Sequence, residues 1–420
     1  MVDGLLRGAP DVLLRQLSQV LPDRPFAIEL WDGSRLAPTT AVTGDGAPPT
    51  FAVRDRAALA HVLRAPGQLG IGRAYVSGML EVDDLDGVID VLEHWKPPAL
   101  DRPTQARLAL AAARAMGLVR PPAPPAAELR PRGRRHSAER DARSVRHHYD
   151  VSNDFFALFL DASMTYSCAV FPTGEESLED AQDVKRELIC TKLALQPGER
   201  VLDVGCGWGS FAVHAAQRHD VDVVGITLSE PQARIARERA AAAGVGERVD
   251  IRVMDYRAIT DGPFDAIASI GMVEHVGSVQ IDDYASRLLR LLRPGGRLLN
   301  HGIARLRPDD PEAGPFSERY VFPDAAPLHL SRIQAALERA GFETHHVEDF
   351  RHHYDRTLTH WIARLDANLD EAIRLAGPER VRVWRLYLRA ARNGFRTGFT
   401  SLFQVRASRP DAAERPGTAP

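Results

Sequence analysis

The chain has only three cysteines in 420 residues, at positions 168, 190 and 206. None forms a C-x-x-C pair, which excludes a disulfide framework and a zinc ribbon and makes a reducing, cytoplasmic location the default. Long hydrophobic runs are missing too: no stretch approaches the ~20 apolar residues of a membrane span. The N-terminus, MVDGLLRGAPDVLLRQL, mixes Asp and Arg into its apolar residues, unlike a secretory leader. Any membrane contact is therefore expected from the surface. There is no large excess of one charge: the formal net charge of −3 excludes a globally basic nucleic-acid binder. Basic charge is concentrated locally, with seven arginines between Arg130 and His148 against Glu139 and Asp141. What is present, 44% hydrophobic and 26% charged residues, fits a soluble globular protein of two or three domains.

Residues 1–98 read as a mixed α+β segment. Phe26 to Trp31 suggests a strand, Trp31-Asp-Gly-Ser a turn, and 54–63 and 84–95 helices. Pro97, Pro98 and Pro103 break the chain, 104–118 is alanine-rich and helical, and 121–125 holds four prolines. The arginine-rich stretch that follows reads as a solvated connector or a phospholipid-facing patch. From Tyr149 onward the pattern alternates. Strands are expected at 200–204, 221–226, 249–254, 264–270 and 297–301, with helices at 231–243 and 284–292 between them and a Pro294-Gly295-Gly296 turn before the last strand. This βαβ order predicts a doubly wound sheet with its ligand at the carboxyl ends of the strands. The tail 407–420 is expected to be disordered.

The first of these strands ends in VLDVGCGWG, Val201 to Gly209. Glycines at 205, 207 and 209 let a ligand approach the backbone and tolerate positive φ, and the next helix opens with free N–H groups that suit polar ligand atoms. The spacing is G-x-G-x-G, not the dinucleotide G-x-G-x-x-G. A tight turn without a ligand would need the same glycines, but Asp203 and the other strand ends argue against it. After the second strand, Thr227, Ser229 and Gln232 can hydrogen-bond a ligand without adding charge. Ser229 and Pro231 also suit a helix start. After the third, Asp255-Tyr256 offers an acid and an aromatic face for an adenine.

Together with HYDVSNDFF (148–156), TYSCA (165–169), GITLSEPQ (225–232), DYR (255–257), SIGMVEHVG (269–277) and RYVFPD (319–324), these motifs resemble those of cyclopropane-fatty-acyl-phospholipid synthases, in the same order. The resemblance covers roughly residues 146–405. It implies an α/β class I methyltransferase (Rossmann-like) with a mixed seven-stranded sheet and helices on both faces. The implied layout is an N-terminal lipid-associated or dimerisation domain (1–98), a Pro/Arg-rich linker (99–145) and a catalytic domain (146–406). Tyr166, Ser167, Gly205, Gly207, Thr227, Leu228, Gln232, Asp255 and Tyr256 would surround S-adenosylmethionine. The substrate would be the cis double bond of a phospholipid acyl chain, reached by a homodimer at the inner face of the membrane, with no nucleic-acid partner.

The family's chemistry adds a methyl carbon to the alkene and removes a proton from it to close a cyclopropane. Such a site needs a dry pocket, electron-rich walls and a base. Tyr149, Phe155, Phe156 and Tyr166 are candidate walls. The resemblance implies bicarbonate as the base, held by Cys168, Glu274, His301 and Tyr354, with the main chain near Ile303. Singly, Cys168 reads as a small buried residue, His301 as a strand-end histidine and Glu274-His275 as a surface pair; four matches in four motifs favour the site. No ligand spacing among His275, His301, His352 and His353 supports a metal, and none is expected. The segment Tyr320-VFPDAAPLHL departs from the family pattern at Ala325-Ala326 and His329, leaving substrate geometry open. A helix over 379–393 places Arg382, Arg385, Arg389 and Arg392 on one face, for solvent or for headgroups. The same cation could instead lead to a methylene branch for a separate reductase to saturate. A small-molecule N- or O-methyltransferase and a non-catalytic lipid carrier are the other readings; the bicarbonate residues disfavour both.

Overall fold

A computed structural model describes residues 8–41, 47–129, 140, 152–310 and 314–411. Tyr149, the arginine stretch apart from Arg140, and positions 412–420 lie outside the described residues. The chain forms two compact units. One runs to Leu129 and also takes in Arg319–Val321 and Gly377–Ala390; the other holds the rest.

The first unit contains a four-stranded sheet in the order β2-β1-β3-β4, built from β1 (Ala27–Glu29), β2 (Arg35–Leu36), β3 (Thr50–Val53) and β4 (Leu80–Val82). The helix Arg102–Met116, expected as part of a linker, instead packs Ala111, Ala112 and Ala115 against Leu13 and Leu14 of the helix Ala9–Val20. Alanines allow that close approach at little side-chain entropy cost. The helix Leu369–Thr397 is broken at Gly377 (φ 76°) before Pro378. In its 377–390 part Val381, Trp384 and Leu388 are buried. Arg389 pairs with Asp86 at 3.0 Å, and Arg382 lies over the Tyr75 ring. The basic face is thus partly committed within this unit. Arg73 forms a two-pronged bond to Glu128, 2.7 Å on each side, and Tyr320 donates to the same carboxylate.

The second unit is built on a seven-stranded sheet ordered β10-β11-β9-β8-β5-β6-β7. Its strands are β5 (Arg200–Val204), β6 (Asp222–Thr227), β7 (Val249–Val253), β8 (Phe264–Ile270), β9 (Leu292–Arg305), β10 (Glu343–Asp349) and β11 (Thr400–Ser408). Only β11 runs against the others. Strands covered on both faces need near-continuous apolar sequence, and β5 and β8 have it. Pro294-Gly295-Gly296 is not a turn ahead of a strand. It lies inside β9 as an irregularity, where the pairing jumps from Phe264↔Leu292 to Ala266↔Arg297. The tail also begins later than expected, because Ala407 and Ser408 pair with Leu298 and Arg297. Strand order reverses beside β5, so the carboxyl ends of β5 and β8 frame a crevice.

Candidate active site

At the end of β5 the three glycines all adopt positive φ, 84° at Gly205, 53° at Gly207 and 79° at Gly209. An added Cβ on Gly209 would lie 2.9 Å from Ala236 Cβ, so this glycine also lets the helix Glu230–Ala242 pack on the turn. The turn opens onto two adjoining hollows that share Gly205, Gly207, Gln232 and Gly271. The larger, with about 810 Å³ of empty space, is lined by Thr227, Leu228, Asp255 and Tyr256 as well. Tyr166, Ser167, Lys185 and Asp203 line the smaller. All nine residues expected around a cofactor therefore line one hollow or the other.

Local chemistry sets each wall. Thr227 donates its hydroxyl to Gln232 Oε1 at 2.8 Å, and Ser229 caps the helix Glu230–Ala242, so the polar groups and the helix start coincide. Burial pushes the Asp255 carboxyl up, but its bonds to Arg257 outweigh this and hold it below the usual range. Burial raises the Tyr256 hydroxyl to about 12. The smaller hollow holds two buried ionisable groups that cofactor motifs did not single out together. Lys185 donates to Ser167 Oγ at 2.9 Å, and burial lowers it to about 7. Burial raises Asp203 to about 7 against the pull of Lys185.

Aromatic rings form the neighbouring wall. Tyr166 stacks on Trp361 at 5.2 Å and meets Phe156 edge-on, while Phe156 lies 5.2 Å from Trp208. Phe155 packs on Phe156 within the same cluster. Trp208 and Trp361 were not anticipated; each has its place in the wall only through tertiary packing.

The remaining expected residues gather around the end of β9 and the residue Phe350. Cys168 Sγ lies 3.8 Å from Phe350 O, and the same carbonyl accepts from Tyr354 N at 3.1 Å. His301 faces the Phe350 ring. Burial pushes the Cys168 thiol well up, so it stays neutral and is a weak donor, not a nucleophile. Tyr354 packs against Phe395 and Trp361. Glu274 Oε1 accepts from Ile303 N at 2.7 Å, so the main-chain donor expected in the cradle is already engaged in orienting the carboxylate. Gly302 makes this fit possible, since a Cβ there would sit 2.3 Å from Val273 Cγ1. Burial raises Glu274 to about 7.

Two buried atoms in this cluster, Glu274 Oε2 and His301 Nε2, have no hydrogen-bond partner among the described residues. Their states follow from their neighbours. Burial holds His301 well below its ordinary pKa, hence neutral. Lys192 donates to Gln404 Oε1 at 2.6 Å, which turns Gln404 Nε2 toward His301 Nδ1 at 3.1 Å. Nδ1 is then the acceptor, and the ring proton sits on Nε2. The departing segment lies against this cluster: Ala326 N donates to Glu274 O at 2.8 Å, and Arg140 grips Asp324. His329 caps the helix Leu330–Ala340.

A glycine turn at the switch point of a mostly parallel sheet, with polar strand ends and one reversed strand, defines a class I methyltransferase. The family model described as mycolic acid cyclopropane synthetase matches residues 136–405, and the chain belongs to that family. Over 398 residues it is 39% identical to a probable fatty acid methyltransferase of Mycobacterium tuberculosis, covering 92% of each chain. It is 35% identical to the cyclopropane-fatty-acyl-phospholipid synthase of Escherichia coli K12, over 82% of this chain and 84% of that one. The solved structure of mycolic acid cyclopropane synthase CmaA1 complexed with SAH and CTAB aligns with a TM-score of 0.61 and 35% identity, over 64% of this chain and 98% of that one. The chain is thus an S-adenosylmethionine-dependent enzyme of the cyclopropane fatty acid synthase and fatty acid methyltransferase group. Among the described residues no helix is long and apolar enough to cross a membrane.

Proposed function

We propose that the enzyme transfers the methyl carbon of S-adenosylmethionine to the cis double bond of a phospholipid acyl chain and closes a cyclopropane ring. The observation that carries this reading is the pair of unpartnered buried atoms, Glu274 Oε2 and His301 Nε2. A plain methyl transfer to nitrogen or oxygen needs no such pair. Leaving two buried polar atoms unmatched costs roughly 1–3 kcal/mol each, which favours a polar guest.

The donor set fits a small oxyanion with one hydroxyl. His301 Nε2–H can donate to an anionic oxygen, and ionised Glu274 Oε2 can accept from the hydroxyl. Cys168 and Tyr354, both beside the Phe350 carbonyl, would line the remaining sides. Bicarbonate held there would supply the base for the proton of the added methyl. Ile303 orients Glu274, Gln404 and Lys192 fix the His301 tautomer, and the apolar surroundings keep water from the site. The sulfonium supplies an electrophilic methyl carbon. Lys185 and Ser167 are suited to its carboxylate and Asp203 to its ammonium, while Asp255 and Tyr256 suit the adenine. The faces of Tyr166, Trp361 and Phe156 can stabilise positive charge developing on the acyl chain.

A second reading keeps the first step, shifts a hydride from the methylated carbon to the neighbouring cation and then loses a proton from the new methyl, giving a methylene-branched acid. The 39% identical relative named as a probable fatty acid methyltransferase favours it. Expression in a host rich in cis-monounsaturated phospholipid separates the two. High-field cyclopropyl protons in the fatty methyl esters support ring closure, and vinylidene protons support methylenation. No new acyl mass, with cofactor binding demonstrated, would overturn both. Peripheral contact with the inner membrane face and a homodimer belong to the same proposal. Charge reversal of Arg132, Arg134 and Arg135 with unchanged binding to anionic vesicles would remove the basic stretch from it.

A further inference from the structure

Away from both hollows and from the Glu274 cluster, the helices Leu178–Leu193 and Ser210–His219 bring a different set of side chains together. Among the described residues, Cys190, His214 and His219 place one ligand atom each within 4.8 Å of one another. We propose that these three, with Glu187, form a binding site for a zinc-class divalent transition-metal ion that clasps the two helices.

One thiolate, two imidazoles and one carboxylate make a donor set typical of such ions. Glu187 and Cys190 are three residues apart and share a helix face. His214 Nε2 lies 3.1 Å from Glu187 Oε2, and His219 Nε2 lies 3.2 Å from the same carboxylate. A tetrahedral zinc site spaces its ligand atoms by roughly 3.3–3.6 Å, so these edges need almost no movement. The longest separation needs to close by about 1 Å.

A second feature points the same way. His214 Nδ1 sits 3.4 Å from Asp183 Oδ1, one helical turn before Glu187. Metal-bound imidazoles commonly engage a carboxylate through their other nitrogen, which leaves Nε2 facing the ion. Cys190 is fully buried and His214 nearly so, while the Glu187 side chain is 48% exposed, so an ion can enter from the carboxylate side. On binding, the Cys190 thiol proton leaves to solvent and the sulfur donates its lone pair. Without the imidazoles and the carboxylate, Cys190 would be an ordinary buried apolar residue. The histidines weighed from sequence for a metal were others; here the ligands come from two helices and have no motif. Because one helix carries Lys185 and the other follows the glycine turn, the ion would brace the walls of the smaller hollow without touching the reacting atoms.

The test uses the full chain, stripped with a chelator and titrated with Zn²⁺ and, separately, Co²⁺. We expect about one zinc retained per chain after desalting, a rise in melting temperature with added zinc, and a thiolate-to-cobalt charge-transfer band with intense tetrahedral d–d bands. Cys190→Ser should abolish the charge-transfer band. His219→Ala and Glu187→Gln should weaken zinc binding by roughly tenfold or more. Methyl transfer should persist in all three. His219 and Glu187 are partly exposed, so their variants decide the matter if Cys190→Ser fails to fold. No retained zinc, an octahedral cobalt spectrum unchanged by Cys190→Ser, or full binding in the His214→Ala/His219→Ala double variant would overturn the site.

Discussion

Glu274 shows how one side chain joins chemistry to stability. Burial raises its carboxyl to about 7, above its ordinary value of 4.5. Between those values the folded chain keeps a proton that the unfolded chain gives up, so stability falls as pH rises through this window and levels off above it. Glu274→Gln keeps an oxygen for Ile303 N but has no charge to bury. It should match the parent in stability near pH 4.5 and exceed it at pH 8 by something on the order of 1–3 kcal/mol. Its turnover should drop by roughly 10²–10⁴-fold with cofactor affinity retained. Melting curves at the two pH values, with turnover and cofactor titration, check all three. An identical stability difference at both pH values would show that Glu274 does not titrate there. Glu274, Cys168, His301 and Tyr354 are the residues of the proposed site that sequence names, because each stands in its own motif. Gln404 and Lys192, which set the His301 tautomer, are not among them: they reach His301 from β11 and a separate helix, and neither has a local signature.

At the level of elements, the sequence pattern located β5 to β9, the edge strand β7 among them, and missed both β10 and the buried β11. β10 reads ETHHVED and is largely exposed, so it has no apolar run to find; it is a strand because β11 offers it a ladder. The glycine turn was legible because its sequence answers a backbone need. That need can be divided into two parts. Gly198 and Gly209 have nearly the same φ, 80° and 79°, but only at Gly209 would an added Cβ meet a neighbour, Ala236 Cβ at 2.9 Å; at Gly198 it would meet nothing within 4 Å among the described residues. Gly198→Ala should therefore cost about 1 kcal/mol, the left-handed penalty alone. Gly209→Ala should cost about 1–3 kcal/mol more, because the helix Glu230–Ala242 must shift. Denaturant midpoints give both costs, and equal losses would refute the packing role of Gly209.

For the whole molecule, the consequential feature is that the first unit is not continuous in sequence. A reading along the chain places residues 377–390 with the catalytic domain, since they follow its motifs. In space they complete the N-terminal unit, with Val381, Trp384 and Leu388 as their buried face and Glu379 accepting from Ala127 N. No periodicity reports such a return, because the contacts span some 250 residues of separation. Deleting the first 129 residues therefore removes the cover of that face and strands Arg389 without Asp86. Burial of these three side chains is worth roughly 1.5–3 kcal/mol each for the larger apolar ones, and the uncovered patch becomes a site of association. The chain from 130 onward should bind hydrophobic dyes and self-associate, while a version with Val381→Lys, Trp384→Gln and Leu388→Glu should stay monodisperse. Light scattering and dye fluorescence of the two truncated chains, side by side, check this. A truncated chain that is monodisperse without the three changes would show that 377–390 needs no cover from the N-terminal residues.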